Sequence, residues 1–191
     1  DLSLMFPMIA EVPEFLEAKT ILNKEIDRAK QKPGGAPLNV KVGTMIEVPS
    51  IVWQLPQLLT EVDFISVGSN DLMQFFFAVD RGNPKISERY DTLSPTLLTL
   101  FRNIAEQCEK ANKPFSICGD IAGRPLEAMA LLGLGYRNFS MSSEALGRVK
   151  EMVLSTDIGK LENYVRSLCN SRDHSVRDQL RSFARDHSII I

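Results

Sequence analysis

The ten residues Val62-Asp63-Phe64-Ile65-Ser66-Val67-Gly68-Ser69-Asn70-Asp71 show the pattern from which the fold is inferred. A short, mainly apolar run over residues 62–67 predicts a buried strand, and small and polar residues follow it directly. Similar runs along the chain predict four further strands, at residues 2–9, 40–46, 115–118 and 137–141. The chain therefore contains five predicted strands.

Helical patterns separate these strands. Apolar residues recur close to the 3.6 period after the first strand, and a short helix is predicted over residues 51–59. Ser94-Pro95 is a typical helix start, with serine as N-cap and proline at the first helical position. Strands alternating with helices indicate an α/β protein with a parallel sheet, whose strands are buried on both faces. An open doubly wound sheet and part of a β/α barrel both fit this pattern.

After about residue 156 the pattern is helical only. We therefore divide the chain into an α/β unit, residues 1–156, and a C-terminal helical tail, residues 157–191, packed on or near it. The aromatic run Phe75-Phe76-Phe77 and the lone Trp53 are expected to be packing residues.

Length, charge and cysteine content limit the possible functions. The chain has 191 residues and a formal net charge of -2, which suits one ordinary domain and gives no case for a nucleic-acid partner. No apolar run reaches the ~18 residues that a membrane span needs, and we expect no signal sequence, because no charged segment followed by an apolar run stands at the start. Three widely spaced cysteines predict reduced thiols and a cytoplasmic location. Because the chain starts without methionine on an apolar run, we expect it to be part of a longer protein.

Residues able to do chemistry follow three of the predicted strands. Glu47, Asn70-Asp71 and Cys118 each stand where a strand ends. Ligands of parallel α/β folds bind at the carboxyl ends of the strands, where the loops converge. The sequence therefore predicts one site that contains these residues.

Glu47 and Asp71 would supply an oxygen-rich site. Mg²⁺ favours one or two carboxylates, with water and substrate oxygens in the remaining positions. Both histidines, His174 and His187, lie in the tail, which argues against zinc or copper chemistry. The alternative is that Glu47 and Asp71 cap the helices that follow them.

Arg81 and Cys118 complete the candidate set. A guanidinium at Arg81 would hold a phosphate or carboxylate in a bidentate manner, whereas the alternative is a surface salt bridge. The thiol of Cys118 would donate a proton, with Gly119 allowing a turn off the strand. Cys108 and Cys169 fit inert or unassigned thiols, and inertness is also the alternative for Cys118.

Several motifs resemble, in order and spacing, the phosphoenolpyruvate-binding domain of the phosphoenolpyruvate–protein phosphotransferases, or enzyme I of the phosphotransferase system. The similarity covers roughly residues 2–155, and details near residues 51–55 and 124–131 are most similar to the nitrogen-related paralogue. The motifs are Met5-Phe6-Pro7-Met8-Ile9, Gly43-Thr44-Met45-Ile46-Glu47-Val48-Pro49-Ser50, Asp63 through Gln74, Asp80-Arg81-Gly82-Asn83 and Cys118-Gly119-Asp120-Ile121-Ala122-Gly123.

The resemblance implies that the chain forms the last five β/α units of a TIM-type (β/α)8 barrel, followed by C-terminal helices. It implies that Glu47 and Asp71 bind Mg²⁺, that Asn70 and Arg81 bind the phosphate of phosphoenolpyruvate, and that Cys118 protonates the enolate to give pyruvate. It further implies a phosphorylated histidine on a separate amino-terminal domain, a phospho-carrier protein as acceptor, a homodimer, and a role in sugar transport or nitrogen regulation.

The sequence also departs from the family pattern. Asp120 stands where the family has glutamate, and Ser69 where it often has threonine. Further phosphoenolpyruvate-binding arginines of the family lie on earlier strands that this chain does not contain. We therefore expect the isolated chain to bind phosphoenolpyruvate weakly or not at all, and to self-associate through open sheet edges. The alternatives are a relative of pyruvate phosphate dikinase or phosphoenolpyruvate synthase, and a non-catalytic sensing or dimerisation module.

Overall fold

The computed structural model describes residues 2–34, 39–83, 85 and 89–191. Within them, four parallel strands form one sheet in the order β1-β2-β3-β4, which is also their order along the chain. The strands are β1, Leu2–Phe6; β2, Val40–Ile46; β3, Phe64–Gly68; and β4, Phe115–Cys118. The α/β class and the parallel sheet predicted from the sequence are confirmed.

The connections and the tail are helical. The helices are α1, Val12–Lys30; α2, Pro49–Val52; α3, Leu55–Glu61; α4, Ser69–Phe77; α5, Pro95–Lys110; α6, Pro125–Gly133; α7, Ser143–Leu154; α8, Ile158–Leu168; and α9, Arg177–Asp186. A 3-10 turn, Asp120–Gly123, follows β4. Among the described residues, no helix is long and apolar enough to cross a membrane.

Of two predictions for the helices, the structure confirms one and contradicts the other. The predicted start of α5 is confirmed, because the Ser94 side chain accepts a hydrogen bond from the Leu97 N–H. The single helix predicted over residues 51–59 is wrong, since the structure has two short helices separated near Trp53. Pro56 has no N–H to continue the first helix and instead occupies the first turn of α3.

The two faces of the sheet differ in burial. Ile46, Ile65, Val67 and Ile117 point to one face, are 0–1% exposed and belong to the hydrophobic core. On the opposite face, residues such as Cys118 remain partly exposed. Strand β1 is also more exposed than predicted, with Leu2 at 48% and Met5 at 38%. The expectation that the strands are buried on both faces therefore holds for β3, where residues 65–68 are all buried, and is wrong for β1 and for the end of β4.

Two strand predictions are too long, for identifiable reasons. The first strand ends at Phe6 and not at Ile9, because Pro7 has no N–H to donate and Met8 adopts a positive φ of 56°. The fifth predicted strand, residues 137–141, is a single parallel bridge between Ile117 and Phe139. There the Asn138 side chain donates to the Phe115 carbonyl at 3.0 Å, which occupies an acceptor that a longer strand would pair.

Trp53 and part of the phenylalanine run are not packed as expected. Trp53 is 85% exposed, while Phe75 and Phe76 are 44% and 36% exposed. Phe77 does pack, because its ring stacks on that of Tyr90 with centroids 4.3 Å apart.

The C-terminal helices share the hydrophobic core with the α/β part. Leu161, Val165 and Leu180 are fully buried, and Val165 lies so near Gly133 of α6 that a Cβ there would meet its Cγ2 at 2.6 Å. The backbone N–H of Val176 donates to the Leu93 carbonyl at 3.0 Å. The division of the chain at residue 156 stays a prediction.

Candidate active site

The candidate residues gather at one edge of the sheet. Glu47 directly follows β2, Asn70 and Asp71 lie in the first turn of α4 directly after β3, and Cys118 ends β4. Parallel register pairs Ile46 with Val67, and Gly68 with Cys118, so the three strand ends are level with one another. The structure therefore brings the predicted residues to the same edge.

Glu47 is a buried carboxylate with little to neutralise it. The residue is 4% exposed, and its Oε1 accepts a hydrogen bond from the Met8 N–H at 2.7 Å. Its Oε2 faces Gly68, where a Cβ would lie only 2.7 Å away. Within the described ranges no lysine, arginine or histidine forms an ion pair with Glu47. Because buried charges are normally paired or coordinate metals, this carboxylate fits a cation ligand.

Asp71 is more open and lies beside Arg81. Its Oδ1 is 3.5 Å from the Arg81 Nη2, and the two side chains are 36% and 49% exposed. The Arg81 backbone N–H donates to the Gln74 side chain at 3.3 Å. An exposed pair of this length contributes little free energy, so a ligand or a metal ion can replace it at small cost.

The capping alternatives are not observed. Helix α2 has Val48 as N-cap, helix α4 has Gly68, and neither helix has a side-chain cap hydrogen bond. Glu47 and Asp71 are therefore not occupied by helix capping.

A closed metal cage is not present in the described part of the chain, where no group of three or more His, Cys, Asp or Glu residues could hold a metal ion. Two carboxylates at one edge fit Mg²⁺ nonetheless. Magnesium usually takes one or two protein carboxylates and fills its other positions with water and phosphate oxygens.

The Cys118 thiol is held by its neighbours on β3. Its Sγ donates to the Val67 carbonyl at 3.5 Å and accepts a long hydrogen bond from the Ser66 hydroxyl at 4.0 Å. The Ser69 hydroxyl donates to the Cys118 carbonyl at 2.6 Å. These contacts fix the side chain of Cys118 against β3 and its backbone against the start of α4.

Electrostatics favour the protonated form of this thiol. Burial raises the pKa of Cys118 above its ordinary value, and the negative charges of Glu47 and Asp71 raise it further. The hydrogen bond from Ser66 opposes this by lowering the pKa, but the net change is upward. A thiol that stays protonated near neutral pH is suited to donate a proton rather than to attack as a thiolate.

Asn70 binds the loop that follows β4. Its Oδ1 accepts from the Asp120 N–H at 3.0 Å, and its Nδ2 donates to the Asp120 carboxylate at 3.3 Å. Gly119 permits this approach, because its φ is +102° and a Cβ there would lie 2.3 Å from the Ser69 Oγ. The first turn of α4 and the 3-10 turn that follows β4 are thus joined directly.

Asn70 and Arg81 line one cavity of about 580 Å³, while Cys118 lines a neighbouring cavity of about 550 Å³. Asp120 and Arg124 line both cavities. The sequence pattern assigned neither Asp120 nor Arg124 to the site. Their position along the chain could have indicated them, because both follow Cys118 within six residues and Arg124 directly precedes the proline that starts α6.

A family model and several known proteins are similar to this chain. A family model described as the phosphoenolpyruvate-binding domain of phosphoenolpyruvate-utilising enzymes matches residues 1–158. A Salmonella typhimurium protein named phosphoenolpyruvate-dependent phosphotransferase system is 36% identical over 184 residues, which cover 96% of this chain and 25% of that protein. The Bacillus subtilis phosphoenolpyruvate-protein phosphotransferase is 40% identical over 146 residues, or 76% of this chain and 26% of the relative.

The phosphoenolpyruvate-protein phosphotransferase of Latilactobacillus sakei is 35% identical over 189 residues, which cover 97% of this chain and 33% of that protein. The chain thus spans about a quarter to a third of the length of these relatives. The match of the family model over most of the chain decides the assignment. This chain belongs to the family of phosphoenolpyruvate-binding domains of phosphoenolpyruvate-utilising enzymes.

Proposed function

We propose that this chain is the phosphoenolpyruvate-binding part of a phosphoenolpyruvate–protein phosphotransferase. The observation that carries the proposal is the convergence of Glu47, Asp71 and Cys118 at one sheet edge, and the raised pKa of the Cys118 thiol agrees with it. Two named phosphotransferases, from Bacillus subtilis and Latilactobacillus sakei, support it. The phosphoryl group would pass to a histidine on another domain and then to a phospho-carrier protein.

In this proposal Cys118 is the general acid. When the bond between the phosphorus and the enol oxygen breaks, the enolate of pyruvate remains. Its terminal carbon takes the proton of the Cys118 thiol, and the thiolate is reprotonated from solvent. The raised thiol pKa keeps the sulfur protonated near neutral pH, so that the proton is available on Cys118 when the enolate forms.

The other candidate residues would bind the phosphate group of the substrate and a metal ion. Asn70 and Arg81 would hold the phosphate end of the substrate, with the guanidinium available because its contact with Asp71 is long and exposed. Glu47 and Asp71 would hold Mg²⁺, which when bound neutralises charge on the phosphoryl group and on the enolate.

The larger architecture is also a proposal. Parallel strands in sequence order, each followed by helix and with the core on one face, fit part of a (β/α)8 barrel over residues 1–156. The open edge of β1 would pair with a further strand, and residues 157–191 would form a helical tail. A homodimer and a role in sugar transport or in nitrogen regulation follow from the family resemblance alone.

The decisive test is a Cys118→Ala variant in a protein of the relatives' full length that includes this chain. We expect it to bind phosphoenolpyruvate and to lose pyruvate formation. Cys169→Ala, which removes a thiol in the tail, is the matched control and should leave turnover unchanged. Unchanged turnover in Cys118→Ala would exclude the proton-donor role.

A second test uses this chain alone. Titration with phosphoenolpyruvate and Mg²⁺, followed by amide chemical shifts, should show weak binding with shifts confined to the strand ends at Glu47, Asn70 and Cys118. Glu47→Gln should abolish the Mg²⁺-dependent part of these shifts. Shifts located elsewhere on the chain would contradict the proposed site.

A further inference from the structure

Arg177, at the start of α9, makes a dense set of polar contacts with the α/β part of the chain. Its Nε donates to the Asp91 Oδ2 at 3.0 Å and its Nη2 to the Asp91 Oδ1 at 2.7 Å. The same Nη2 reaches the Thr92 hydroxyl at 3.2 Å and the Glu127 Oε1 at 2.9 Å. One side chain of the tail therefore joins the end of the α4–α5 connection to helix α6.

Burial makes these contacts stronger than surface pairs. The Glu127 side chain is 5% exposed, that of Asp91 is 22% exposed and that of Arg177 is 27% exposed. Among the described residues, Arg177 is the cation that pairs with buried Glu127. A bidentate guanidinium–carboxylate contact also fixes direction, which a single charge pair does not.

Asp91, which binds Arg177, also forms hydrogen bonds with the backbone around it. Its Oδ1 accepts the Leu93 N–H at 2.8 Å, and the Leu93 carbonyl accepts the Val176 N–H at 3.0 Å. The adjacent Tyr90 ring stacks on Phe77, the last residue of α4, with an interplanar angle of 11°. The segment that ends at Asp91 is thus tied both to the tail and to the helix that carries Asn70 and Asp71.

Arg81, at the other end of this segment, is held more weakly. Within the described residues, its contacts are the 3.3 Å bond from its N–H to Gln74 and the exposed 3.5 Å pair with Asp71. Arg81, Tyr90, Asp91 and Arg177 all line the cavity of about 580 Å³. The cavity wall is therefore held most strongly at Arg177, whereas Arg81, the candidate phosphate-binding residue, makes weaker contacts.

We propose that Arg177 is a positioning residue, which holds residues 89–94 against the cavity so that Arg81 can reach an anion there. The anion-binding part of this inference rests on the proposed function. The positional part rests on the contacts of Arg177 alone. The C-terminal helices would in this way contribute to the geometry of the phosphate side of the site.

Hydrogen exchange on this chain tests the positional part. Arg177→Lys keeps the charge beside Glu127 but loses the bidentate contact with Asp91. We expect amides of residues 74–83 and 89–94 to exchange roughly tenfold faster, while those of β3 stay unchanged. Arg181→Lys is the control, because Arg181 lies on the same helix and makes an exposed contact with Asp178 at 3.6 Å.

Faster exchange confined to residues 176–187 would show that Arg177 merely anchors its own helix, and would overturn the proposal. If Arg177→Lys fails to fold, the double variant Arg177→Gln/Glu127→Gln replaces it, because it removes the charge of Arg177 together with that of buried Glu127. The same exchange pattern is expected there, and unchanged exchange at residues 89–94 would again overturn the proposal.

Titration with inorganic phosphate and with phosphoenolpyruvate tests the functional part. We expect Arg177→Lys to weaken binding of either anion about three- to tenfold, and Arg181→Lys to leave it unchanged. Equal affinity in Arg177→Lys and in the unmodified chain would overturn the link to Arg81. Because the isolated chain is expected to bind phosphoenolpyruvate weakly or not at all, these titrations use a protein of the relatives' full length that includes this chain. If that unmodified protein binds neither anion, the proposed function fails, while the exchange pattern still decides the role of Arg177.

Discussion

The Sγ of Cys118 lies 3.5 Å from the main-chain oxygen of Val67, on the neighbouring strand. The S–H group is thus directed at an acceptor inside the sheet edge, and burial followed by nearby carboxylates raises its pKa. We expect slow alkylation of Cys118 at neutral pH and a steep increase above its ordinary pKa of 9.0. Alkylation resolved by peptide mass spectrometry measures this, with fully buried Cys108, whose pKa burial raises to about 12, as the unreactive reference.

Variants around the thiol test the causes of this shift. Ser66→Ala removes a donor to the sulfur, so the pKa of Cys118 should rise and alkylation at fixed pH should slow by about three- to tenfold. Asp71→Asn removes a negative charge and should have the opposite effect. Ser116→Ala is matched to Ser66→Ala, because Ser116 is the register partner of Ser66 on β4. Equal rates for the two serine variants would contradict a role for Ser66.

Gly68 is required by the packing of Glu47. A Cβ at residue 68 would lie 2.7 Å from the Glu47 Oε2 and 2.9 Å from the Met45 Cε. Gly68→Ala should therefore displace the Glu47 carboxylate from the Met8 N–H and lower the free energy of unfolding by about 1–3 kcal/mol. Urea denaturation measures the loss of stability.

Gly147→Ala is the control for this variant. Gly147 lies in α7, and a Cβ there would meet nothing within 4 Å. Alanine at this position should be neutral or should stabilise the chain by up to about 1 kcal/mol, because it restricts the unfolded chain. A Gly68→Ala variant as stable as Gly147→Ala would show that the sheet edge adjusts freely around Glu47.

Much of the fold followed from local sequence pattern. Periodicity and turn residues located four strands, the Ser94 cap and the address shared by Glu47, Asp71 and Cys118. These features depend on neighbours in the chain, which a single sequence shows. Two predicted strands were too long because a backbone hydrogen bond could not form. The Asn138 side chain occupies the carbonyl that the strand would have used, and Pro7 has no N–H to donate.

Long-range contacts did not follow from the sequence. The bond from Asn70 to Asp120 joins residues 50 positions apart, and that from Arg177 to Asp91 joins residues 86 apart. Neither pair has a spacing that periodicity can detect. The contacts depend on which loops meet at the sheet edge and on how the tail returns, and these are set by tertiary packing.

Trp53 shows the reverse case, an aromatic residue that does not pack. Because its side chain is 85% exposed, Trp53→Ala should change the free energy of unfolding by less than about 0.5 kcal/mol. Its fluorescence, as the single tryptophan, should have the emission maximum of a solvated indole and be readily quenched by iodide. Phe101→Ala, at a fully buried ring, is the contrasting variant and should cost about 3–5 kcal/mol.

The pair between Asp91 and Arg177 predicts a pH dependence of stability. Burial alone would raise the pKa of Asp91, but hydrogen bonds from Arg177, from the Leu93 N–H and from Ser175 lower it to about 2 from an ordinary value of 3.8. A carboxyl whose pKa is lower in the folded state stabilises the fold above its unfolded pKa. This stabilisation is complete above pH 3.8 and is lost as the pH falls towards about 2.

The expected contribution is about 2 kcal/mol, since one pKa unit corresponds to about 1.4 kcal/mol. Asp91→Asn should therefore be less stable than the unmodified chain above pH 3.8, and the difference should shrink as the pH falls to about 2. Urea denaturation at a series of pH values in this window measures the difference. Asp178→Asn, at a side chain that is 93% exposed, should show no such convergence. A constant difference between Asp91→Asn and the unmodified chain would mean that the carboxylate charge of Asp91 contributes nothing to the contact with Arg177.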